Sequence, residues 1–519
     1  MSRYIIGVHS GHDSSVCLMC DNEIIFAIEK ERLTRKKHDS GEPTECIEYV
    51  LEAAGITYSD IDLVVRVNWY DSKELDDAYY KRFSKVIVRY EHHLFHAYAV
   101  SLDMQENALA YVMDGRGCRP IDNHENDREG YFEAESVYLF DGNKMNTLEK
   151  RYAKHYSKAY QWGSHMDSIG YAYADVSRLV FQSYDAAEKI MALAAYGVEN
   201  AAIPKALQYD GEHMSVSSDW LHFLNALDYP LDYHSQLAKD ISFGLQKEVE
   251  AYIGNRITSL SKKYHCSHIG ISGGVALNCK NNGVIFNTHQ LDDLYIFPAC
   301  GDNGIAVGAA VWAVREVFQD DRKIEWKFDL GKSYDKVRYS EEDIAMAVEL
   351  LHQGNVLGIF ENGSEFGPKA LCNRSLLALA SNSEMKDYLN STIKHRELFR
   401  PFGGVILERN IQMLTDERIA NDYMLSAVRV KNEMREKIPA LVHKDGTIRI
   451  QIVRENRKNA SIWKILDKME EKYKEIILIN TSYNGIGEPI VETPDDARRS
   501  AAKNGIGYLL MHGRIERII

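Results

Sequence analysis

The sequence predicts an α/β protein of two closely packed domains, and three observations carry that expectation. Segments rich in β-formers alternate with segments of helical apolar spacing from end to end. The 519 residues are more than one ordinary core accommodates. Composition also shifts across residues 319–336, from Gln319-Asp320-Asp321-Arg322-Lys323 to Gly331-Lys332-Ser333, which sets domains at 1–335 and 336–519.

The chain opens as strand, turn and strand. Residues 4–8 are a β-rich run, His9-Ser10-Gly11-His12-Asp13-Ser14-Ser15 is a polar turn, and residues 16–19 and 24–28 are strands joined at Asp21-Asn22. Small, polar residues in such a turn are how actin-like ATPase folds hold phosphates, a pattern that any β-meander shares. Residues 43–54 read as a helix stopped by Gly55, 61–67 and 85–90 as strands, and 91–102 as a helix. A strand over 108–113 ends at Asp114-Gly115. Residues 238–263 form the longest helix expected. A strand over 268–272 runs into Gly273-Gly274 and a helix from about residue 276, and Gly301-Asp302-Asn303 precedes an Ala-rich helix over 304–317. Beyond the boundary the alternation continues: helix 341–352, strand 356–360, helices 384–393 and 462–474, strand 476–480, helix 495–503 and strand 508–511. No repeat of about 20–50 residues is visible.

Hydrophobic residues make up 45% and charged residues 27%, the balance of a soluble globular chain. No Pro-rich or Ser/Gly-rich tract provides a tether, so the domains should pack closely. The formal net charge of -14 repels phosphate backbones, and the most basic stretches, 29–37 and 449–458, are short and mixed with acids. No nucleic-acid partner is expected. Cys17 and Cys20 have the spacing of half a zinc or redox site, but no second such pair follows, and Leu18-Met19 between them reads as buried strand. There is no disulfide framework, no signal layout over residues 1–7 and no run of about 18 apolar residues. A cytoplasmic protein without membrane contact is expected.

Glu91-His92-His93-Leu94-Phe95-His96 opens a helix. His92 and His96 are four apart and lie on one helical face, a spacing that can offer two imidazoles to one metal ion. His93 with His96 is an alternative geometry, and two ordinary surface histidines are another reading. Asp114 ends a strand and Asp302 sits in a turn before a helix, where site residues gather in α/β folds. Two His and two Asp suit Fe(II), Mn(II) or Zn(II).

Several elements fit phosphate. Ser272-Gly273-Gly274-Val275-Ala276-Leu277-Asn278 follows a strand and opens a helix, where backbone N–H groups can approach an anion, although a plain tight turn looks the same. Lys189 is charged within an apolar segment and reads as a snorkelling lysine or a phosphate ligand. In the C-terminal part, Lys369 in Glu365-Phe366-Gly367-Pro368-Lys369, Lys394, and Arg400 in Phe399-Arg400-Pro401-Phe402 are set among Phe, Pro and Gly rather than in a solvated charge run. Arg449 and the turn Asn480-Thr481-Ser482-Tyr483-Asn484 add a further cation and small hydrogen-bonding groups.

Together these motifs resemble the O-carbamoyltransferase family that includes nodulation protein U and the cephalosporin and tobramycin carbamoyltransferases. The match runs nearly the whole chain: His12-Asp13, the HHxxHA segment, Asp114-Gly115, the segment from Lys189 to Tyr196-Gly197, Gly273-Gly274-Val275-Ala276-Leu277-Asn278 and Gly301-Asp302 occur in order. The EFGPKAL, NRS and FRPF stretches and Asn480 to Ile490 follow. The resemblance implies an N-terminal actin-like, metal-containing domain shared with the tRNA threonylcarbamoyl transferases and a C-terminal YrdC-like domain. It implies ATP with Mg2+ and carbamoyl phosphate as co-substrates, carbamoyl adenylate made by the C-terminal domain, and transfer by the N-terminal domain to a hydroxyl of a natural product or sugar. Carried over by motif, His92, His96, Asp114 and Asp302 hold Fe(II) or another first-row divalent metal. Lys369, Lys394, Arg400, Arg449, Asn480 and Ser482 hold carbamoyl phosphate or its products, with Lys394 and Arg400 catalytic. Lys189, Gly273, Gly274 and Asn278 line the nucleotide site, and His12 lies near the transferred group as a catalytic residue. A homodimer is left open.

The chain departs from the pattern after Asp114, where Arg116-Gly117-Cys118-Arg119 replaces small residues and the insert up to Glu133 is strongly polar. This loop falls where the acceptor should enter. Cys372 and Gly485 also differ. The chemistry needs such a site. Carbamate is a poor electrophile that adenylation activates, crowded phosphates need Lys and Arg, and an acceptor hydroxyl needs a base or metal. Carbamoyl adenylate hydrolyses readily, so both steps should face one closed chamber. Two alternatives are a tRNA-modifying threonylcarbamoyl relative, against which the charge and the second domain argue, and an actin-like ATP-binding regulatory module without transfer.

Overall fold

The computed structural model describes residues 2–68, 77–126, 128–209, 214–334, 338–458 and 460–518. It is a mixed α/β architecture built on three large sheets. The first sheet contains β1 (Tyr4–His9), β2 (Ser15–Cys20), β3 (Glu23–Glu29), β4 (Ile61–Val67) and β5 (Val86–Arg89), in the order β3-β2-β1-β4-β5. β1 to β3 form an antiparallel meander, and β4 and β5 continue parallel to β1.

The second sheet follows the same plan. β6 (Ala108–Met113), β7 (Tyr131–Phe140) and β8 (Met145–Tyr160) are the meander, extended by β9 (Gly163–Met166). A separate two-stranded sheet, β10 (Leu207–Tyr209) with β11 (Met214–Val216), precedes β12 (His268–Ser272) and β13 (Asp293–Ile296), which run parallel to β6. The order β13-β12-β6-β7-β8-β9 thus repeats the three-strand meander with two parallel additions. No short sequence repeat announces this duplication.

The third sheet contains β14 (Leu357–Phe360), β15 (Arg374–Leu379), β16 (Gly403–Leu407), β17 (Tyr423–Arg429), β18 (Thr447–Val453), β19 (Ile477–Ser482), β20 (Tyr508–Met511) and β21 (Arg514–Arg517). Their order is β17-β18-β16-β19-β15-β14-β20-β21, with parallel and antiparallel neighbours mixed.

Two helices join the first two sheets. The helix His92–Val100 is buried at all but one of its residues, and every residue of Ile305–Trp312 is buried. A helix apolar all round belongs inside a core. One hydrophobic cluster accordingly runs from Ile5 and Cys17 of the first sheet through Phe95, Ala306 and Val307 to Ala110 and Val112 of the second. The first helix begins at His92 and the second follows the turn that Asp302 opens, so the core itself sets the spacing of that cluster.

Many boundaries fall where expected: β4, β6, β12, the helix Glu341–His352 and β20 start and stop at the expected residues. Gly55 ends the helix Thr44–Ala54 in the left-handed conformation. Other expectations need correction. The helix expected over 304–317 is a 3-10 turn (Asp302–Gly304), the α-helix Ile305–Trp312 and a π-helical turn (Ala313–Val317). The helix over 384–393 is likewise one α turn, Met385–Tyr388, followed by the π turn Leu389–Ile393. The helix from about residue 276 begins as a 3-10 turn, and its α portion is Cys279–Thr288.

The boundary at 335 and 336 lies outside the described residues. The segment before it is not a tether: Ala27 donates its N–H to Leu330, and bridges join Glu23 to Glu325 and Asp329 to Glu365. Cys17 is fully buried on β2 and Cys20, three residues on, faces the other side of the strand; all 8 cysteines are free. Among the described residues no helix is long and apolar enough to cross a membrane.

Candidate metal centre and the cation-rich seam

His92 and His96 open the helix His92–Val100, Asp114 ends β6, and Asp302 begins the turn before Ile305–Trp312. Their ligand atoms all lie within 4.8 Å of one another. His92 Nε2 faces His96 Nε2 at 3.3 Å and Asp114 Oδ2 at 3.2 Å. Asp302 Oδ1 lies 3.4 Å from both imidazole nitrogens. Ligands about 2.1 Å from a shared tetrahedral ion would be about 3.4 Å apart, so the set fits a first-row divalent metal. The charges agree: burial opposes a charged His92, yet Asp302 and Asp114 raise it to about 10, so this carboxylate pair, one buried and one half-buried, favours a cation between them. His93 is excluded from the cluster. Its Nδ1 pairs with Ser136 Oγ at 2.8 Å, and burial lowers its pKa to about 4.

Second contacts orient the ligands. Ser272 Oγ lies 3.4 Å from His96 Nδ1, and Gly274 donates its N–H to Asp114 Oδ1 at 2.9 Å. Gly273, with φ of +90°, donates its N–H to Cys300 at 2.8 Å; a Cβ on it would meet the Met113 carbonyl at 2.2 Å. The Gly-Gly turn expected to hold phosphate therefore also clamps the end of β6, where Asp114 sits. Asn278 is similarly engaged: its Oδ1 caps the helix Cys279–Thr288 and its amide donates to Gln246 and Tyr173 at 3.0 and 3.1 Å.

His12 stands in a chain of charges. Its Nδ1 lies 3.1 Å from Asp13 and its Nε2 3.3 Å from Asp185, while His38 Nδ1 lies 2.8 Å from the other Asp13 oxygen. Desolvation opposes the charged form, but Asp13 and Asp185 outweigh it and raise His12 to about 11. Flanked by two carboxylates, this imidazole favours its cationic form.

The remaining expected residues meet along one seam. The helix Ala187–Leu193 presents Glu188 and Lys189 to the loop after Leu389–Ile393: Lys189 pairs with Glu397 at 2.8 Å, and Glu188 pairs with Arg400. Residues expected at a nucleotide site and at a carbamoyl phosphate site thus sit side by side. Lys394 donates to Asn484 Oδ1 and its carbonyl at 2.8 and 3.0 Å, and to Ser482. Burial, then Arg396 and Arg400, push Lys394 well below the usual lysine range. Burial and Arg400 lower Arg396 to about 9, and burial and Arg449 lower Lys369. Asn480 donates to Gln451 at 2.7 Å and to Ala370 at 3.1 Å, and its Oδ1, like Arg449 Nε, is buried without a protein hydrogen-bond partner. Crowded cations that depress one another, beside orphaned polar atoms, are features an anion would relieve.

Sequence reasoning did not single out Glu188, Asp185, His38, Arg396 or Glu397. Arg396 and Glu397 flank a chosen residue in the Lys394–Arg400 stretch, and Glu188 precedes Lys189, so proximity was the available signal; Asp185 and His38 had none.

A family model described as Carbamoyltransferase N-terminus matches residues 4–82 and 74–311, and one described as Carbamoyltransferase C-terminus matches 348–517. The chain belongs to the carbamoyltransferase family. Among its relatives, an uncharacterized protein of Methanocaldococcus jannaschii is 30% identical over 451 residues, covering 80% of this chain and 71% of the relative. Nodulation protein NolNO of Sinorhizobium fredii is 27% identical over 547 residues, covering 94% of this chain and 76% of the relative. Nodulation protein U of Azorhizobium caulinodans is 33% identical over 224 residues, 42% of this chain and 39% of that protein. Among solved structures, full-length HypF in its phosphate- and nucleotide-bound form aligns over 63% of this chain and 56% of its own, with TM-score 0.41 and 13% identity. In this carbamoyltransferase the N-terminal match spans His12, Lys189 and the four metal-directed residues, and the C-terminal match spans Lys369 to Ser482.

Proposed function

We propose that this carbamoyltransferase forms carbamoyl adenylate from carbamoyl phosphate and Mg-ATP, then carbamoylates a hydroxyl of a small molecule. The observation that carries the reading is the seam, where Lys369, Lys394, Arg396, Arg400 and Arg449 crowd together and outnumber the acids facing them, Glu188, Glu397 and Glu488. Such an excess of positive charge, buried at Lys394 and half-buried at the others, suits two phosphate-bearing substrates. On this reading residues 1–335 are an actin-like transfer domain, supported by the twice-used strand plan, and residues 336–519 are a YrdC-like adenylating domain.

The two-step scheme, adenylation and then transfer, balances as three reactions. Water takes the phosphate from carbamoyl phosphate and leaves carbamate. A carbamate oxygen attacks the α-phosphorus of ATP and pyrophosphate leaves. The acceptor hydroxyl oxygen then attacks the carbonyl carbon, the bond to AMP breaks, and the hydroxyl proton departs to solvent. Lys394, Arg400, Lys369 and Arg449 neutralise phosphate charge in the first two reactions, with Asn480 Oδ1 free to accept from the carbamate amide and Ser482 beside it. Lys189 and the Gly273-Gly274 turn flank the nucleotide. His12, as a cation, donates to the adenylate phosphate or the developing oxyanion. His92, His96, Asp114 and Asp302 would hold the metal, with iron the expected ion; when bound it supplies Lewis acidity toward the acceptor oxygen or the adenylate phosphate.

The experiment is mass spectrometry of hydroxyl-bearing metabolites incubated with the protein. A carbamoyl mass gain should require both ATP and carbamoyl phosphate; a gain without ATP would refute the adenylate route.

A further inference from the structure

Two buried charges that this chemistry does not use lie where the first and third sheets meet. Glu29 ends β3 and Arg32 follows on the short helix Lys30–Thr34; they are 5% and 1% exposed. Arg32 donates to the carbonyls of Gly367 at 2.8 Å and Glu365 at 3.3 Å. Glu29 Oε1 accepts the Gly367 N–H at 2.6 Å and the Asn303 side-chain amide at 3.2 Å. Arg32 Nε lies 3.6 Å from the other Glu29 oxygen. Gly367 has φ of +122°, and a Cβ there would come 2.9 Å from the Pro298 carbonyl, so the loop seats against the turn that leads to Asp302. One carboxylate therefore touches both the loop that carries Lys369 and the residue beside Asp302.

The loop keeps its own shape without these contacts. Glu365 Oε1 accepts the N–H groups of Leu371, Asn373 and Arg374 at 2.6, 2.7 and 3.2 Å, and Asn373 donates to Gly363 at 2.8 Å. All of these bonds stay within residues 363–374. Glu29 and Arg32 dock the loop rather than fold it. A buried charge pair is costly to desolvate, and one held by backbone groups across a seam specifies where that seam closes. Burial raises the Glu29 carboxyl to about 7 against the pull of Arg32.

We propose, resting on the two-step reading above, that Glu29 and Arg32 are positioning residues that hold loop 365–371 against the Asp302 turn. Closure of this seam keeps carbamoyl adenylate inside until an acceptor hydroxyl takes the carbamoyl group. A gap would admit water to the carbonyl carbon, giving carbamate and AMP, and ATP would be spent without transfer.

The test needs no acceptor. The full-length wild type, Glu29→Ala and Glu29→Gln are given Mg-ATP and carbamoyl phosphate alone, and AMP release is followed together with hydrogen exchange in residues 365–371. Glu29→Ala should release AMP about fivefold faster than wild type and exchange faster in the loop. Glu29→Gln, which retains the accepting oxygen, should stay within about twofold of wild type. A merely structural role lowers the rate; only a leak raises it. AMP release that is unchanged or slower in Glu29→Ala overturns the clamp. No carbamoyl-phosphate-dependent AMP from any of the three, wild type included, overturns the two-step reading instead, and loop exchange that is equal in all three separately denies the docking.

Discussion

At the scale of single residues, the site turns on which groups face each other. His92 and His96 present their Nε2 atoms to one point at 3.3 Å, and removing one leaves three ligands and an unbalanced carboxylate pair. His96→Ala should lower bound metal by tenfold or more, on the order of the loss seen when such sites are perturbed, and elemental analysis reads this directly. Equal metal in both proteins would remove these four residues from the metal site. His12 offers a second check. Raised above its ordinary value to about 11, its pairing with Asp13 and Asp185 is fully present below pH of about 6.5 and is lost as pH rises through about 11. Its ring resonances in NMR should stay flat through neutral pH, and Asp185→Asn should move the titration downward. A midpoint near 6.5 in the wild type would return His12 to the role of a base. Residue identity was legible for the metal-directed set because i,i+4 spacing and element ends constrain geometry. The choice between His92 and His93 was not, because both positions are compatible with His96 until Ser136 claims the second ring.

At the scale of elements, turns decide more than strands. Gly273 has φ of +90°, and a Cβ on it would come within 2.2 Å of the Met113 carbonyl oxygen. Gly273→Ala should cost about 2–4 kcal/mol, combining strain and overpacking, and should displace Asp114. Calorimetry should show an earlier unfolding transition, and metal content should fall with it. The loop from Lys394 to Arg400 gives a pH-dependent expectation. Lys394 is depressed by burial and by the neighbouring Arg396 and Arg400, so an arriving anion restores its proton. Binding of inorganic phosphate should take up protons at Lys394 and weaken as pH rises, which titration calorimetry in two buffers can measure; proton release on binding would contradict the site. Elements with a clean apolar rhythm, such as β4, β6 and Glu341–His352, were legible to the residue. β8 was not, because its Lys, Glu, Tyr and His residues face solvent along much of its length and leave little apolar alternation. The π turns at Ala313–Val317 and Leu389–Ile393 were also hidden, since one extra residue in a helix barely alters its apolar spacing.

At the scale of the whole molecule, the duplicated sheets hold the metal-directed cluster between them, and residues 394–400 bring cations to a seam with the helix Ala187–Leu193. The pairs Glu188–Arg400 and Lys189–Glu397 cross that seam. So do Arg35, whose guanidinium donates to the carbonyls of Pro489 and Ile490 at 2.7 Å each, and Tyr49, which donates to Glu492 at 2.6 Å. Contact between the two halves of the chain agrees with the missing linker; the interleaving of their charges was not foreseeable, because no sequence pattern relates residues more than 200 positions apart, as Glu188 and Arg400 are. Arg400→Ala should slow adenylation on the order of a hundredfold, from a charge-assisted contact worth roughly 1.5–3 kcal/mol plus its share of transition-state charge, while metal content stays at the wild-type level. The division of labour is tested most directly by His96→Ala, given ATP, carbamoyl phosphate and an acceptor found by mass spectrometry, with pyrophosphate and carbamoylated acceptor measured in the same reaction. The expected result is carbamoyl-phosphate-dependent pyrophosphate release within a few-fold of wild type and no carbamoylated acceptor. Loss of both products together, in a protein that remains folded, would contradict separate adenylation and transfer.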